Sequence, residues 1–195
     1  MEQREMVEII ISWVTISLAF SMTALQAQSI FPAFATSFPI ILLTLGVGFI
    51  FHELGHRWLA KKYGCIAFYK MWVPGLALAL GMAIMTGGRL IFAAPGAVLI
   101  GGKRLSLRQE GMVALIGPVT NMLAGTLFLL IALRAQPYTL LSTVGSVGAY
   151  VNFFLAFFNM IPFPPLDGQK VLQWNPMVWI MALAIAGYMS FVVLG

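Results

Sequence analysis

The stretch from Pro39 to Lys62, PIILLTLGVGFIFHELGHRWLAKK, decides how this chain is read. It is apolar from Pro39 to Phe51 apart from Thr44, then sets His52 and His56 four residues apart around Glu53, and closes on Lys61 and Lys62. A helix turns once in about 3.6 residues, so positions i and i+4 share a face. Two imidazoles on that face grip one metal ion, and the glutamate between them is placed to move protons. At about 1.5 Å of rise per residue, the histidines lie roughly 8 to 14 Å beneath the basic boundary at Lys61, a depth inside the hydrocarbon of a bilayer. Ionisable groups at that depth are costly unless they pair and line a wet cavity, which makes them candidates for function.

The rest of the chain agrees with a membrane setting. Hydrophobic residues make up 61% and charged residues 9%, with a mean hydropathy of +0.95, far from the roughly 25% charged content of a soluble domain. Besides Pro39–Ala60, stretches near Met6–Leu25, Gly111–Leu133 and Leu140–Ile161 are apolar for long enough to cross as helices, and Pro176–Leu194 is a further candidate. The first carries Glu2, Glu5 and Glu8 at its start rather than a basic cluster, so it reads as a retained helix and not as a secretory signal. Ten of the eleven basic residues fall on one side of these spans, with Arg134 alone on the other. By the positive-inside rule the N-terminus and the opening of the site are cytoplasmic, in an integral membrane protein of the cell membrane. That topology accounts for the net charge of +5, and no soluble basic face with stacking aromatics is present to bind nucleic acid. Cys65 is the only cysteine, so no disulfide forms within the chain, and it reads as a small buried residue.

Two histidines leave a metal one protein ligand short. Of the six carboxylates, Glu2, Glu5 and Glu8 lie at the N-terminal edge, Glu53 is in the motif and Glu110 opens the third span. Asp167 follows Pro162, Pro164 and Pro165, which end the fourth span and force an extended path. Irregular backbone at membrane depth is tolerated beside protein or a water-filled cavity. The segment is therefore expected to fold back and deliver Asp167 to the metal, with Gly168 allowing a tight turn.

His52-Glu53-Leu54-Gly55-His56 together with Asn159-Met160-Ile161-Pro162-Phe163-Pro164-Pro165-Leu166-Asp167-Gly168 resembles the site-2 protease family of intramembrane zinc metalloproteases, and Gly117-Pro118-Val119-Thr120-Asn121 is similar to a motif in that family's intervening helix. The resemblance covers about Leu42 to Leu172. It implies one zinc ion on His52, His56 and Asp167, a catalytic role for Glu53, and a role for Asn159 in stabilising the tetrahedral intermediate or positioning the substrate. It also implies a β-rich, membrane-associated segment at about residues 66–100, broken by Pro74, Gly75, Gly81, Gly87, Gly88, Pro95 and Gly96. The residues alone also allow a re-entrant helix at Leu76–Met85. The expected architecture is one α-helical polytopic membrane domain of about five or six transmembrane helices with a small β element, its core at about residues 39–172. PDZ and nucleotide-binding regulatory domains, carried by some members, have no room in this length.

The expected activity is zinc-dependent endoproteolysis of a transmembrane helix in a partner protein within the lipid bilayer. A helix hides its carbonyls, so the substrate must unwind first, and an exposed strand near Gly87 and Gly88 is a candidate to receive the extended peptide. Asn121 reads either as polar glue between helices, worth about 0.6 to 2 kcal/mol, or as a group serving catalysis, and Asn152 reads as glue. A metal transporter would favour inverted repeats and polar residues in both halves, and neither is present in the sequence. The twelve methionines are read as lipid-facing or gap-filling, since thioethers suit Cu(I) rather than zinc.

Overall fold

The structure, a computed structural model, describes residues 2–23, 30–91 and 94–193. Helices dominate: α1 (Gln3–Ser21), α2 (Ile30–Lys62), α3 (Val73–Thr86), α4 (Leu107–Arg134), α5 (Leu140–Asn159), α6 (Asp167–Trp174) and α7 (Pro176–Tyr188), which runs on into a π-helical turn at Met189–Val193. Two strands, β1 (Ile66–Met71) and β2 (Gly96–Gly101), form one small sheet. Among the described residues, three helices are long and apolar enough to cross a membrane: Ala33–Lys62 within α2, then α4 and α5. The expectation of five or six rests on further stretches that differ from these. α1 brings Arg4, Glu5 and Glu8 into its own length, and α3 and α7 are shorter apolar helices. The ends at Leu25 and Leu194 expected for the first and last spans lie outside the described residues.

The chain divides into two compact units, residues 1–46 with 68–99, and residues 47–67 with 100–195. In the first, α1 packs on α3 through Ala19, Ala79 and Ala83, all fully buried. These methyl-sized side chains let two helices approach closely. The polar stripe of α1 turns to β1. Glu5 accepts from the Tyr69 backbone N–H at 2.9 Å, Glu8 accepts from the Met71 N–H at 3.0 Å and from Lys70 Nζ at 2.6 Å, and the Tyr69 hydroxyl donates to Ser12 at 2.9 Å. Burying a carboxylate without such partners would cost several kcal/mol, on the order of the penalty per ion seen in proteins. The Trp13 indole donates to Leu42 C=O at 2.7 Å and lies in the notch of Gly46, where a Cβ would stand 2.2 Å from its nitrogen.

Residues 66–100 are not β-rich along their length. A strand stands at each end, and between them Pro74 opens α3 in its first turn while Gly87, in the left-handed conformation at φ 62°, ends it. Proline at a helix start and glycine just past its end are helix signals, so two of the expected breakers, Pro74 and Gly87, mark the ends of a helix where the sequence also allows one at Leu76–Met85. Gly87 and Gly88 thus lie at a helix end and not in a strand. Gly88 has φ 78°, and a Cβ there would stand 2.3 Å from the Thr23 backbone nitrogen, so the chain needs glycine twice over.

In the second unit a capping box starts α4, with Ser106 accepting from Gln109 N–H at 3.3 Å and Gln109 accepting from Ser106 N–H at 3.0 Å. α4 packs closely on α5 because glycines stand at the contacts: a Cβ on Gly125 would meet the Phe153 ring at 2.9 Å, one on Gly145 the Ala132 backbone at 2.5 Å, and one on Gly148 the Phe128 ring at 2.4 Å. Below them Ala114, Met160, Val171 and Ala182 form a buried core that joins α4, the end of α5, α6 and α7.

Candidate metal centre

The latter half of α2 carries His52, Glu53 and His56, all buried. After α5 ends at Asn159, the chain turns through Met160–Leu166 and enters α6 at Asp167. The turn is anchored at Met160, whose carbonyl accepts from the Trp179 indole at 2.8 Å. Gly168 serves close approach rather than a tight turn. It is helical, and a Cβ on it would lie 2.1 Å from the Met160 carbonyl oxygen and 2.7 Å from that of Ile161. The backbone of α6 is thereby pressed onto the end of α5, and Asp167, in the first helical turn where an anion is favoured, is carried to the histidines.

The three side chains expected to meet do meet. His52 Nε2 and His56 Nε2 are 2.9 Å apart, and each is 3.2 Å from Asp167 Oδ2. Together they are the group of side chains among the described residues able to hold a metal ion. Whether they suit zinc is decided behind the rings. His56 Nδ1 lies 2.6 Å from the Val113 carbonyl oxygen, which only accepts, so Nδ1 bears the hydrogen and Nε2 of the neutral ring bears a lone pair. His52 Nδ1 lies 2.6 Å from Asn121 Oδ1, with the same consequence. Two bare nitrogens and a carboxylate oxygen thus converge with no hydrogen between the neutral rings to share. A cation at their focus resolves that conflict, and two imidazoles with one carboxylate form a three-ligand zinc set that leaves one position open.

The wall opposite is backbone. A Cβ on Gly117 would lie 2.4 Å from His56 Nε2 and 2.7 Å from His52 Cε1, so α4 leaves the histidine nitrogens their room by carrying no side chain there. Glu53 is buried, and its Oε2 makes no hydrogen bond among the described residues, which leaves it available to a water or substrate. Asn159, at the last position of α5, donates through Nδ2 to its own helix at Leu155 C=O, 3.0 Å away. An amide nitrogen carries two hydrogens, so one remains. Asn121 joins α4 to α5, as the glue reading expects, by donating to Asn152 Oδ1 at 3.3 Å, and its own Oδ1 lies behind His52. The sequence reading missed Val113, whose contribution is a main-chain carbonyl and leaves no mark on residue type. It also missed Gly48, four residues before His52, where a Cβ would lie 2.1 Å from Asn152 Oδ1.

Relatives of this chain carry names that bear on such a centre. It is 41% identical over 191 residues, 97% of its own length and 94% of the relative's, to the protein named "Putative zinc metalloprotease MJ0611" of Methanocaldococcus jannaschii. It is 27% identical over 151 residues to "Putative zinc metalloprotease YwhC" of Bacillus subtilis, covering 69% of this chain and 68% of that protein. To "Zinc metalloprotease MJ0392" of Methanocaldococcus jannaschii it is 26% identical over 138 residues, 69% of this chain and 33% of that protein. No family model and no solved structure matches the chain.

Proposed function

The chain belongs to the zinc metalloprotease family of these relatives, and from that premise we propose that it is an intramembrane zinc endopeptidase of the site-2 protease kind, cutting a transmembrane segment of a partner protein within the bilayer. The observation that carries the proposal is the meeting of His52, His56 and Asp167 beside Glu53, on a helix long and apolar enough to span a membrane. The distribution of basic residues favours a cytoplasmic N-terminus and cytoplasmic access to the site in the cell membrane.

His52, His56 and Asp167 would hold the zinc, which when bound would supply Lewis acidity and lower the pKa of a water toward neutral. Glu53 takes the proton of the attacking water and hands it to the leaving amine. Its position directly after His52 keeps it beside the ligands, and its unpartnered oxygen costs no existing bond to use. Asn159 donates its second amide hydrogen to the oxyanion, an interaction worth about 2.7 to 4 kcal/mol in comparable sites. The substrate pairs in extended form with β2. The outer side of β1 is already taken by Glu5 and Glu8, while β2 pairs with β1 alone among the described residues. Alternation from the Trp72 N–H to Pro95 C=O bond turns the Val98 N–H away from β1, toward an incoming strand. Regulated intramembrane proteolysis is the process such an activity serves.

The test is incubation of the purified protein with a panel of labelled membrane helices, with and without chelator, beside Glu53→Gln. Fragments that need both metal and Glu53 are the expected result. Metal-binding protein that cuts none of them, or cutting that survives the chelator, would sink the proposal.

A further inference from the structure

The hydrogen bonds behind His52 have a direction, and it is set far from the histidine. The chain begins at the Gly148 carbonyl oxygen, which only accepts. Asn152 Nδ2 donates to it at 2.8 Å, so Asn152 presents Oδ1 on its other side, where Asn121 Nδ2 donates at 3.3 Å. With its nitrogen engaged, Asn121 presents Oδ1 to His52 Nδ1 at 2.6 Å. Reversing either amide sets donor against donor or acceptor against acceptor. Asn121 and Asn152 have no solvent exposure and His52 is 6% exposed, so water is not at hand to repair a reversed link. The missing Cβ of Gly48 keeps space for this chain, since it would stand 2.1 Å from Asn152 Oδ1 and 2.8 Å from Asn121 Nδ2.

We propose that Asn121 and Asn152 are positioning residues, a two-amide relay that transmits the polarity of the Gly148 carbonyl to His52 and holds the ring with hydrogen on Nδ1 and a bare Nε2 toward the metal. The inference rests on reading His52, His56 and Asp167 as zinc ligands. It differs from a role as glue between α4 and α5. Glue stabilises the helix pair whichever way the amides point, whereas a relay acts on one nitrogen of one ring.

The experiment uses the full chain in detergent micelles. Nitrogen-15 imidazole spectra of the zinc-free protein report the tautomer of each ring, with two histidines present and His56→Gln to assign them, and zinc affinity is measured by chelator competition. Asn121→Leu is expected to bring the Nε2–H form of His52 into the spectrum and to weaken zinc binding roughly 10- to 100-fold, the range for partners behind a metal-ligating histidine. Asn152→Leu, which leaves Asn121 free to reverse, is expected to shift the tautomer in the same direction with a smaller loss of affinity. Asn121→Asp keeps an acceptor at Nδ1 and is expected to keep the wild-type tautomer of His52, while its carboxylate, set against Asn152 Oδ1, lowers stability. Unchanged tautomer and affinity in folded Asn121→Leu and Asn152→Leu would overturn the relay. So would an Asn121→Asp protein that brings up the Nε2–H form of His52 as Asn121→Leu does, since an acceptor at Nδ1 would then not be what fixes the tautomer. Should Asn121→Leu not fold, the spectrum of Asn152→Leu carries the decision. Should the wild type bind no zinc, the ligand assignment fails, and the tautomer spectra alone judge the relay.

Discussion

Gly55 and Gly117 both lie at helix contacts of the site, and the room around them differs in a way that activity and metal content will register. A Cβ on Gly55 would lie 3.4 Å from Thr120 Cγ2, ordinary contact distance, whereas one on Gly117 would lie 2.4 Å from His56 Nε2. Gly55→Ala is expected to bind zinc within about twofold of wild type, and Gly117→Ala to bind it roughly 10- to 100-fold more weakly, as for other changes in the surroundings of a metal. Metal analysis of both proteins checks this, and equal zinc content would remove Gly117 from the site. Glu53→Gln keeps the shape of the side chain and loses the proton shuttle. It should retain zinc while cleavage falls by at least 10²-fold, the lower end for a general base, and turnover at the wild-type rate would mean that another base acts. At this scale the sequence was informative wherever chemistry demands a residue type. Two imidazoles one helical turn apart and a carboxylate behind three prolines announce themselves. Asn121 to Asn152 does not, because the pair is 31 residues apart and either amide reads equally well as helix glue until its partners are known.

Elements were legible by hydrophobic length more than by boundary. α5 begins at Leu140 as expected, but α2 starts at Ile30, because Pro39 is accommodated inside the helix instead of opening it. The eight residues of α6 lie beyond any span rule, and α3 is obscured by glycines and prolines, of which Pro74 and Gly87 stand at its two ends. Under the proposed activity, the expected place of peptide pairing moves from Gly87 and Gly88 to β2. Proline at Val98 removes an outward donor of β2 and should weaken substrate engagement at least tenfold with zinc retained, measured by KM for a labelled helix and by metal content. Gly87→Pro perturbs the end of α3 instead and should act through stability. An unaltered KM in Val98→Pro would remove β2 from substrate binding. The carboxylates of α1 give a separate test. Glu8→Ala leaves the Met71 N–H without its acceptor at a cost of about 1 to 3 kcal/mol, so amide exchange at Met71 should quicken by at least tenfold. Protection equal to wild type there would mean that the bond from Glu8 contributes nothing to holding the strand.

For the whole molecule, zinc and folding are linked, because ligands drawn from α2 and α6 come together only in the native chain. Zinc held at a hundred times its dissociation constant should stabilise the protein by about 2.7 kcal/mol. A chelator should lower the unfolding temperature of the wild type and leave that of Asp167→Ala unmoved. An Asp167→Ala protein that still responds to zinc as the wild type does would take Asp167 out of the ligand set. The bond between α1 and β1 has a bearing on the crowded plane of a membrane as well. A strand with bare amides on its flank is a template on which copies of the same strand stack into fibrils, and a two-stranded sheet has two such flanks. Glu5 and Glu8 close one of them from within the chain, so β1 offers no second surface on which a neighbouring molecule can start a ladder. Among the described residues β2 is then the flank left open, so one added strand completes the sheet and molecules cannot polymerise through it.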